Sequence, residues 1–195
     1  MRRRWNKKFM AGKKKEKKKF IANGIEFDSR EETDFYHWCI EAEAHGYIKD
    51  FHYHTEYFTL CERASIKGKE VLKTKVKIVD KFLLHPHIYT PDFIIFPALK
   101  FNELEHGLKG SEKIYIDVKG GSDIYHNERE FSINQKWVYS KYQIFINKVI
   151  PEIFFKKTWC PVAALYHKRT GEILKKYQGL KQISQMQNTQ LVLEF

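Results

Sequence analysis

Two short aliphatic segments constrain this chain most, Tyr89-Thr90-Pro91-Asp92-Phe93-Ile94-Ile95 and Ile114-Tyr115-Ile116-Asp117-Val118-Lys119-Gly120. In the second, Ile114, Ile116 and Val118 alternate with Tyr115, Asp117 and Lys119. Strand side chains repeat with a period of two, so Asp117 and Lys119 share the face opposite the aliphatics. An aspartate inside such a run breaks the local preference without an evident structural reason. In the first segment Pro91 fixes the backbone before Asp92 and cannot join a central ladder there. Each feature has a plain alternative: Asp92 as a turn aspartate, and Asp117 with Lys119 as a surface pair on a half-exposed strand.

The remaining chain supplies the elements around these strands. Asn23-Gly24 between Phe20-Ile21-Ala22 and Ile25-Glu26-Phe27 predicts a hairpin, because both residues tolerate positive φ. Ser29 followed by Glu32 is a capping-box pattern that opens a helix reaching Ala44 or His45, with Gly46 as its stop. Strands are expected near 48–60 and 70–84, with Lys69 to Val79 reading as an exposed antiparallel ribbon of Val, Ile, Thr and Lys. Pro97 to Gly110 reads as a loop, Glu128 to Lys141 as a second helix, and Tyr142 to Ile146 as a short strand. Residues 163–167 and 172–175 flank Thr170-Gly171 as another hairpin, and Gln182 to Gln190 are weakly patterned. No internal repeat is visible. The sum is a mixed α/β core with added hairpins.

Charge is concentrated at the start. Residues 1–19 hold 11 Lys/Arg and one acid, Glu16, a net of +10 against +11 for the whole chain of 195 residues. The expected organisation is therefore a flexible basic arm over 1–19 and one domain over 20–195, with a core at about 20–147 and a C-terminal extension over 148–195. Arg2, Arg3, Arg4, Lys13, Lys14, Lys15, Lys17 and Lys18 make that arm a candidate nucleic-acid contact, since cations near phosphates release counterions. Trp5 and Phe9 lie among them and could stack on bases. A solvated tail with a targeting role is the bland alternative. Cys39, Cys61 and Cys160 are far apart with no Cys-x-x-Cys pair, which suits a reduced, cytoplasmic protein. No apolar run approaches the ~18 residues of a membrane span, and none follows the basic start as a secretory signal would require.

A third carboxylate comes from the first helix. With its apolar stripe centred on Cys39, beside Phe35 and Ala42, Glu32 lies roughly 20° from the middle and Glu31 about 80° off. A core-facing carboxylate is costly unless it is paired or coordinating. Glu32 is favoured, with closure of the capping box as its structural alternative and Glu31 as its competitor. Two acids and an amine on neighbouring strands, with a helix carboxylate, suit a divalent metal and an attacking water, which points to metal-assisted phosphodiester cleavage.

Glu32, Pro91-Asp92 and Asp117-Val118-Lys119, in that order, resemble the PD-(D/E)xK nuclease superfamily. Gly24 to Glu32, Tyr89 to Phe93 and Ile116 to Gly120 are similar to its phage-type endonucleases, over roughly residues 17–147. The resemblance implies a restriction-endonuclease-like core, a central mixed β-sheet flanked by helices. It implies that Asp92, Asp117 and the Val118 carbonyl bind Mg²⁺ or Mn²⁺, with Glu32 holding a water or a second ion. Lys119 would orient water or stabilise developing charge, and Lys136 on the second helix is a candidate phosphate contact, or an ordinary exposed lysine. The implied activity is structure-selective cleavage of DNA, such as branched recombination intermediates, in the host cytoplasm if the chain is phage-encoded. Resolving a junction takes two sites and hence a homodimer; a protein partner could target the enzyme. Heteromeric-transposase and restriction-type endonucleases share the residue pattern. A non-catalytic nucleic-acid-binding protein is the alternative of another class. His52 and His54, on one predicted strand face, and His85-Pro86-His87 carry no zinc signature of useful specificity, and Gly120-Gly121-Ser122 is not a phosphate loop of the Walker type.

Overall fold

The computed structural model describes residues 20–98, 113–121, 128–167 and 169–186. Among these described residues, ten strands and four α-helices run in the order β1 (Phe20–Ala22), β2 (Ile25–Phe27), α1 (Arg30–Ala44), β3 (Ile48–Tyr53), β4 (Phe58–Cys61), β5 (Ala64–Val71), β6 (Val76–Leu84), β7 (His87–Tyr89), β8 (Phe93–Pro97), β9 (Ile114–Val118), α2 (Glu128–Tyr142), β10 (Ile146–Val149), α3 (Pro151–Lys157) and α4 (Val162–Leu165). The protein is mixed α/β. Its central sheet has the order β10-β9-β8-β3, with β10 and β9 parallel and the other pairs antiparallel.

Every residue of β9 is buried. The alternation read from sequence divides it between two apolar clusters. Ile114, Ile116 and Val118 pack with Phe35, Trp38 and Cys39 of α1. Tyr115 packs on the other side with Ile94, Phe131 and Val138. Helices therefore cover both faces, as a sheet of such apolar strands requires. The segment after residue 147 completes the α1 side: Phe155, Trp159 and Tyr177 are fully buried, and Trp159 stacks on Trp38 at 4.8 Å. Each side chain of that size contributes about 1.5–3 kcal/mol through burial.

Local chemistry accounts for the element boundaries. Asn23 (φ 48°) and Gly24 (φ 80°) form the turn of the β1–β2 hairpin. Ser29 caps α1 by accepting from the Glu32 N–H, and Gly46 (φ 70°) follows its end. In the strand region expected at 48–60, His54 at φ 51° ends β3, after which β4 leaves the central sheet to pair with β7. The antiparallel ribbon expected around Lys69 to Val79 is β5 and β6, which span Ala64 to Leu84 and are closed by Leu72 to Lys75. No Gly, Pro or Asn marks that turn. Gly68 instead lies mid-strand, where the Lys81 stem occupies the space of a Cβ, with Cδ 2.5 Å from that position.

Three other expectations are corrected. The strand placed at Tyr142–Ile146 is β10, shifted to Ile146–Val149, because α2 runs to Tyr142 and Gln143 ends it at φ 56°. Helix α3 was not foreseen. The hairpin around Thr170-Gly171 reduces to one bridge, Tyr166 to Ile173, since Val162–Leu165 is helical. Ala and Leu are good helix formers and this stretch is rich in them. The expected loop after Pro97, the weakly patterned segment after Met186 and the arm over 1–19 lie wholly or largely outside the described residues. Among the described residues no helix is long and apolar enough to cross a membrane.

Candidate active site

Strand topology brings the acids together. β8 is antiparallel to both neighbours, so its first residues lie beside the last residues of β9 and β3. Phe93 pairs with Ile116 on one side and with Tyr53 on the other. Asp92, just ahead of Phe93, thus meets the Asp117–Lys119 end of β9 and the Tyr53–His54 end of β3. The first turn of α1 adds Glu32 to the same edge.

Asp92 is held from two directions. Its Oδ2 accepts the Val118 N–H at 2.6 Å, and its Oδ1 lies 3.3 Å from His54 Nε2. The His54 N–H also donates to the Asp92 carbonyl at 3.0 Å. The left-handed backbone at His54 makes this possible and turns its ring onto Tyr53, with centroids 3.9 Å apart. His52 packs instead on Phe96. The two histidines therefore do not act as a pair on one strand face, which corrects the period-two expectation.

Asp117 is 3% exposed. Tyr89 donates to its Oδ2 at 2.5 Å, and the Lys119 ammonium lies against Oδ1 as an ion pair. Lys119 is thus the partner of the buried Oδ1. Lys119 also lies over the Phe131 ring, 5.9 Å from its centroid, on the same side of the sheet as Tyr115. The predicted shared face of Asp117 and Lys119 is observed.

Glu32 combines both of its anticipated roles. Its carboxylate accepts from Ser29 Oγ at 2.7 Å and from the Asp28 N–H at 3.2 Å, and it also accepts from Tyr53 Oη at 2.7 Å. It is a cap and a member of the acidic cluster at once. Glu31 is only partly buried and its charge bears on Tyr177 instead.

The electrostatics are those of crowded negative charge. Burial pushes the Glu32 carboxyl up; hydrogen bonds from Tyr53 and Ser29 oppose this, while the Asp92 charge adds to it. Burial raises Asp117 as well, reinforced by Asp92 and opposed by Lys119 and Tyr89. Burial would lower the Lys119 ammonium, but Asp117, Asp92 and Glu32 together outweigh it and raise its pKa. The hydrogen bond to Asp92 raises His54 against burial, with further help from Glu32 and Asp28. Asp28, Glu32 and His54 present possible ligand atoms within 4.8 Å of one another.

Glu32, Asp92, Asp117 and Lys119 are thus gathered at one sheet edge. The carboxylate oxygens suit a hard divalent ion such as Mg²⁺ or Mn²⁺. The burial and the Asp92 charge that disfavour the ionised forms of Glu32 and Asp117 are what such an ion would relieve. It is the Val118 N–H that meets Asp92. Lys136 is exposed on α2, and the arm residues Arg2, Arg3, Arg4, Lys13, Lys14, Lys15, Lys17 and Lys18 lie outside the described residues. Sequence reasoning missed the roles of Asp28, Tyr53, His54 and Tyr89. Only Tyr89 carried a local signal, standing three residues before Asp92 in the same segment. No protein-family model, curated protein or solved structure matches the chain.

Proposed function

We propose that this protein is a metal-dependent endonuclease that hydrolyses DNA phosphodiesters, with a restriction-endonuclease-like core. The observation that carries the reading is the convergence of Glu32, Asp92 and Asp117 at one sheet edge, where burial and the Asp92 charge both disfavour the ionised forms of Glu32 and Asp117. Asp92, Asp117 and Glu32 would hold Mg²⁺ or Mn²⁺, with the Val118 carbonyl as a further oxygen donor. When bound, the ion supplies Lewis-acid polarisation of the phosphate and lowers the pKa of water at the site.

The chain's own groups do the rest. A water oxygen forms the new P–O bond, one bridging P–O bond breaks, and the departing oxygen takes a proton. Lys119 donates to the charge that builds on the phosphate oxygens, or holds the attacking water, a role that preorganised donors perform without rearranging. Tyr89 fixes Asp117, and Tyr53 fixes Glu32, so that the carboxylates keep their geometry. Branched DNA is the proposed substrate, a choice that rests on the likeness of the three motifs to phage-type endonucleases. It implies two active sites and a homodimer in the cytoplasm.

The test is cleavage of supercoiled, linear, single-stranded and four-way-junction DNA in Mg²⁺ or Mn²⁺, with Asp92→Ala and Lys119→Ala beside the native chain. Preferential cutting of the junction that both variants lose is the expected result. Binding of DNA without cutting on any substrate would favour the non-catalytic alternative and overturn the reading.

A further inference from the structure

Among the described residues the β5–β6 ribbon pairs with no other sheet, yet it carries an unusual load of exposed apolar and basic side chains. Val71, Val76, Ile78 and Phe82 are 79%, 58%, 67% and 47% exposed. Residues 64–84 hold six lysines and two acids, a net of +4. The chain is +11 in all, with +10 in residues 1–19, so residues 20–63 and 85–195 together net −3. The ribbon is a basic stretch in an otherwise slightly acidic sequence after residue 19.

The register distributes these charges. In an antiparallel pair, opposed residues share a face. Lys69 opposes Ile78 and Lys67 opposes Asp80 on one face; Lys77 opposes Glu70 and Lys81 opposes Ile66 on the other. Lys73 and Lys75 stand at the tip. Lys67 is engaged by Asp80 at 2.6 Å, and Lys81 lies along Gly68. That leaves Lys69 and Lys77 on opposite faces and Lys73 and Lys75 at the end. A ribbon lying flat on one surface needs lysines on one face only. Lysines on both faces suit a slot with two negative walls.

We infer that the β5–β6 ribbon is a DNA-binding arm that enters the major groove of a duplex beside the active site. The major groove is about 12 Å wide and admits a two-stranded ribbon, with a phosphate backbone along each wall. Eight register pairs give the ribbon a length of roughly 27 Å. The exposed Val71, Val76, Ile78 and Phe82 then meet thymine methyls and base edges rather than water. The net positive charge disfavours a second copy of the ribbon as the occupant. The ribbon's root is close to the chemistry: β6 leads into β7, whose Tyr89 grips Asp117. Lys141 and Tyr142 of α2 anchor β4 through the Thr59 carbonyl, both at 2.7 Å. The inference deepens the proposed function and rests on its assignment of DNA as substrate.

The experiment is binding of the full chain, in EDTA, to short DNA duplex, RNA duplex and single-stranded DNA over a salt series. The variant is Lys69→Gln/Lys73→Gln/Lys75→Gln/Lys77→Gln. Each phosphate contact contributes about 0.9 to the log–log salt slope. The variant should therefore lose about 3–4 in slope and more than ~10-fold in affinity for duplex DNA, with an unchanged thermal midpoint. Duplex RNA, whose major groove is too narrow, should bind the native chain no better than the variant does. An unchanged slope and affinity would overturn the inference. So would a concentration-dependent dimer abolished by Ile78→Ser/Phe82→Ser while DNA binding stays the same. Because no ion is present, the outcome is independent of cleavage: a chain that loses binding in the variant yet never cuts DNA keeps this inference and loses the nuclease reading.

Discussion

Replacing Asp117 by Asn separates a catalytic carboxylate from a structural one. Asp117 is 3% exposed, and both its burial and the Asp92 charge disfavour its ionised form. Asn removes that buried charge while its amide oxygen can still accept from Tyr89 Oη. The loss is the ion pair with Lys119, whose side chain is 28% exposed and can reach water or Asp92. A buried pair that exists for stability costs about 3–5 kcal/mol when one partner is removed. Here the relieved repulsion offsets most of that, so the Asn variant should fall within about 1–2 kcal/mol of the native chain without metal. The larger difference should appear with metal. An ion at 100 times its dissociation constant stabilises the folded state by about 2.7 kcal/mol. For a chain of this size that is a rise of about 5–11 °C in the thermal midpoint. Thermal unfolding in EDTA and in saturating Mg²⁺ or Mn²⁺ measures both quantities. The native chain should show the rise and Asp117→Asn should lose most of it. A loss of 3–5 kcal/mol in EDTA, or a metal-induced rise that survives the substitution, would refute the reasoning.

Three further outcomes follow from other parts of the fold. Ser29→Ala removes the α1 cap and one hydrogen bond to Glu32, and should cost about 1 kcal/mol in denaturant unfolding. Trp159→Ala should cost about 3–5 kcal/mol in the same assay, because this fully buried ring stacks on Trp38; a cost near zero would mean the C-terminal segment is dispensable. Burial raises the Asp34 carboxyl against the pull of Lys176, Tyr177 and Arg30. The folded state therefore binds this proton more tightly than the unfolded one, and its contribution to stability grows as pH falls through the folded pKa toward 3.8. Asp34→Asn should remove that part of the pH dependence, and a stability–pH curve identical to the native one would contradict the assignment.

The parts of the fold that were legible in the sequence are those fixed by local rules. Asn23-Gly24 fixed its own turn through positive φ, Ser29 and Glu32 fixed the start of α1, and the alternation in Ile114 to Lys119 assigned each residue its face. The acidic cluster was legible for the same reason: Glu32, Asp92 and Asp117 each sit at an element terminus that its neighbours define. What was hidden depends on long-range pairing. Tyr53 and His54 reach the site only because β3 lies beside β8, a partnership no local pattern encodes. His54 also breaks the period-two rule through its φ of 51°. The turn at Leu72 to Lys75 lacks the usual turn residues, so the ribbon was visible and its closure was not. The burial of Phe155, Trp159 and Tyr177 is likewise tertiary, since α1 supplies the surface they cover.

Relaxation of supercoiled plasmid in Mn²⁺ by the native chain and by Asp117→Ala tests the central claim most directly. The account predicts nicked or linear product from the native chain, none from the variant, and none from either in EDTA. Cutting that persists in Asp117→Ala would contradict it.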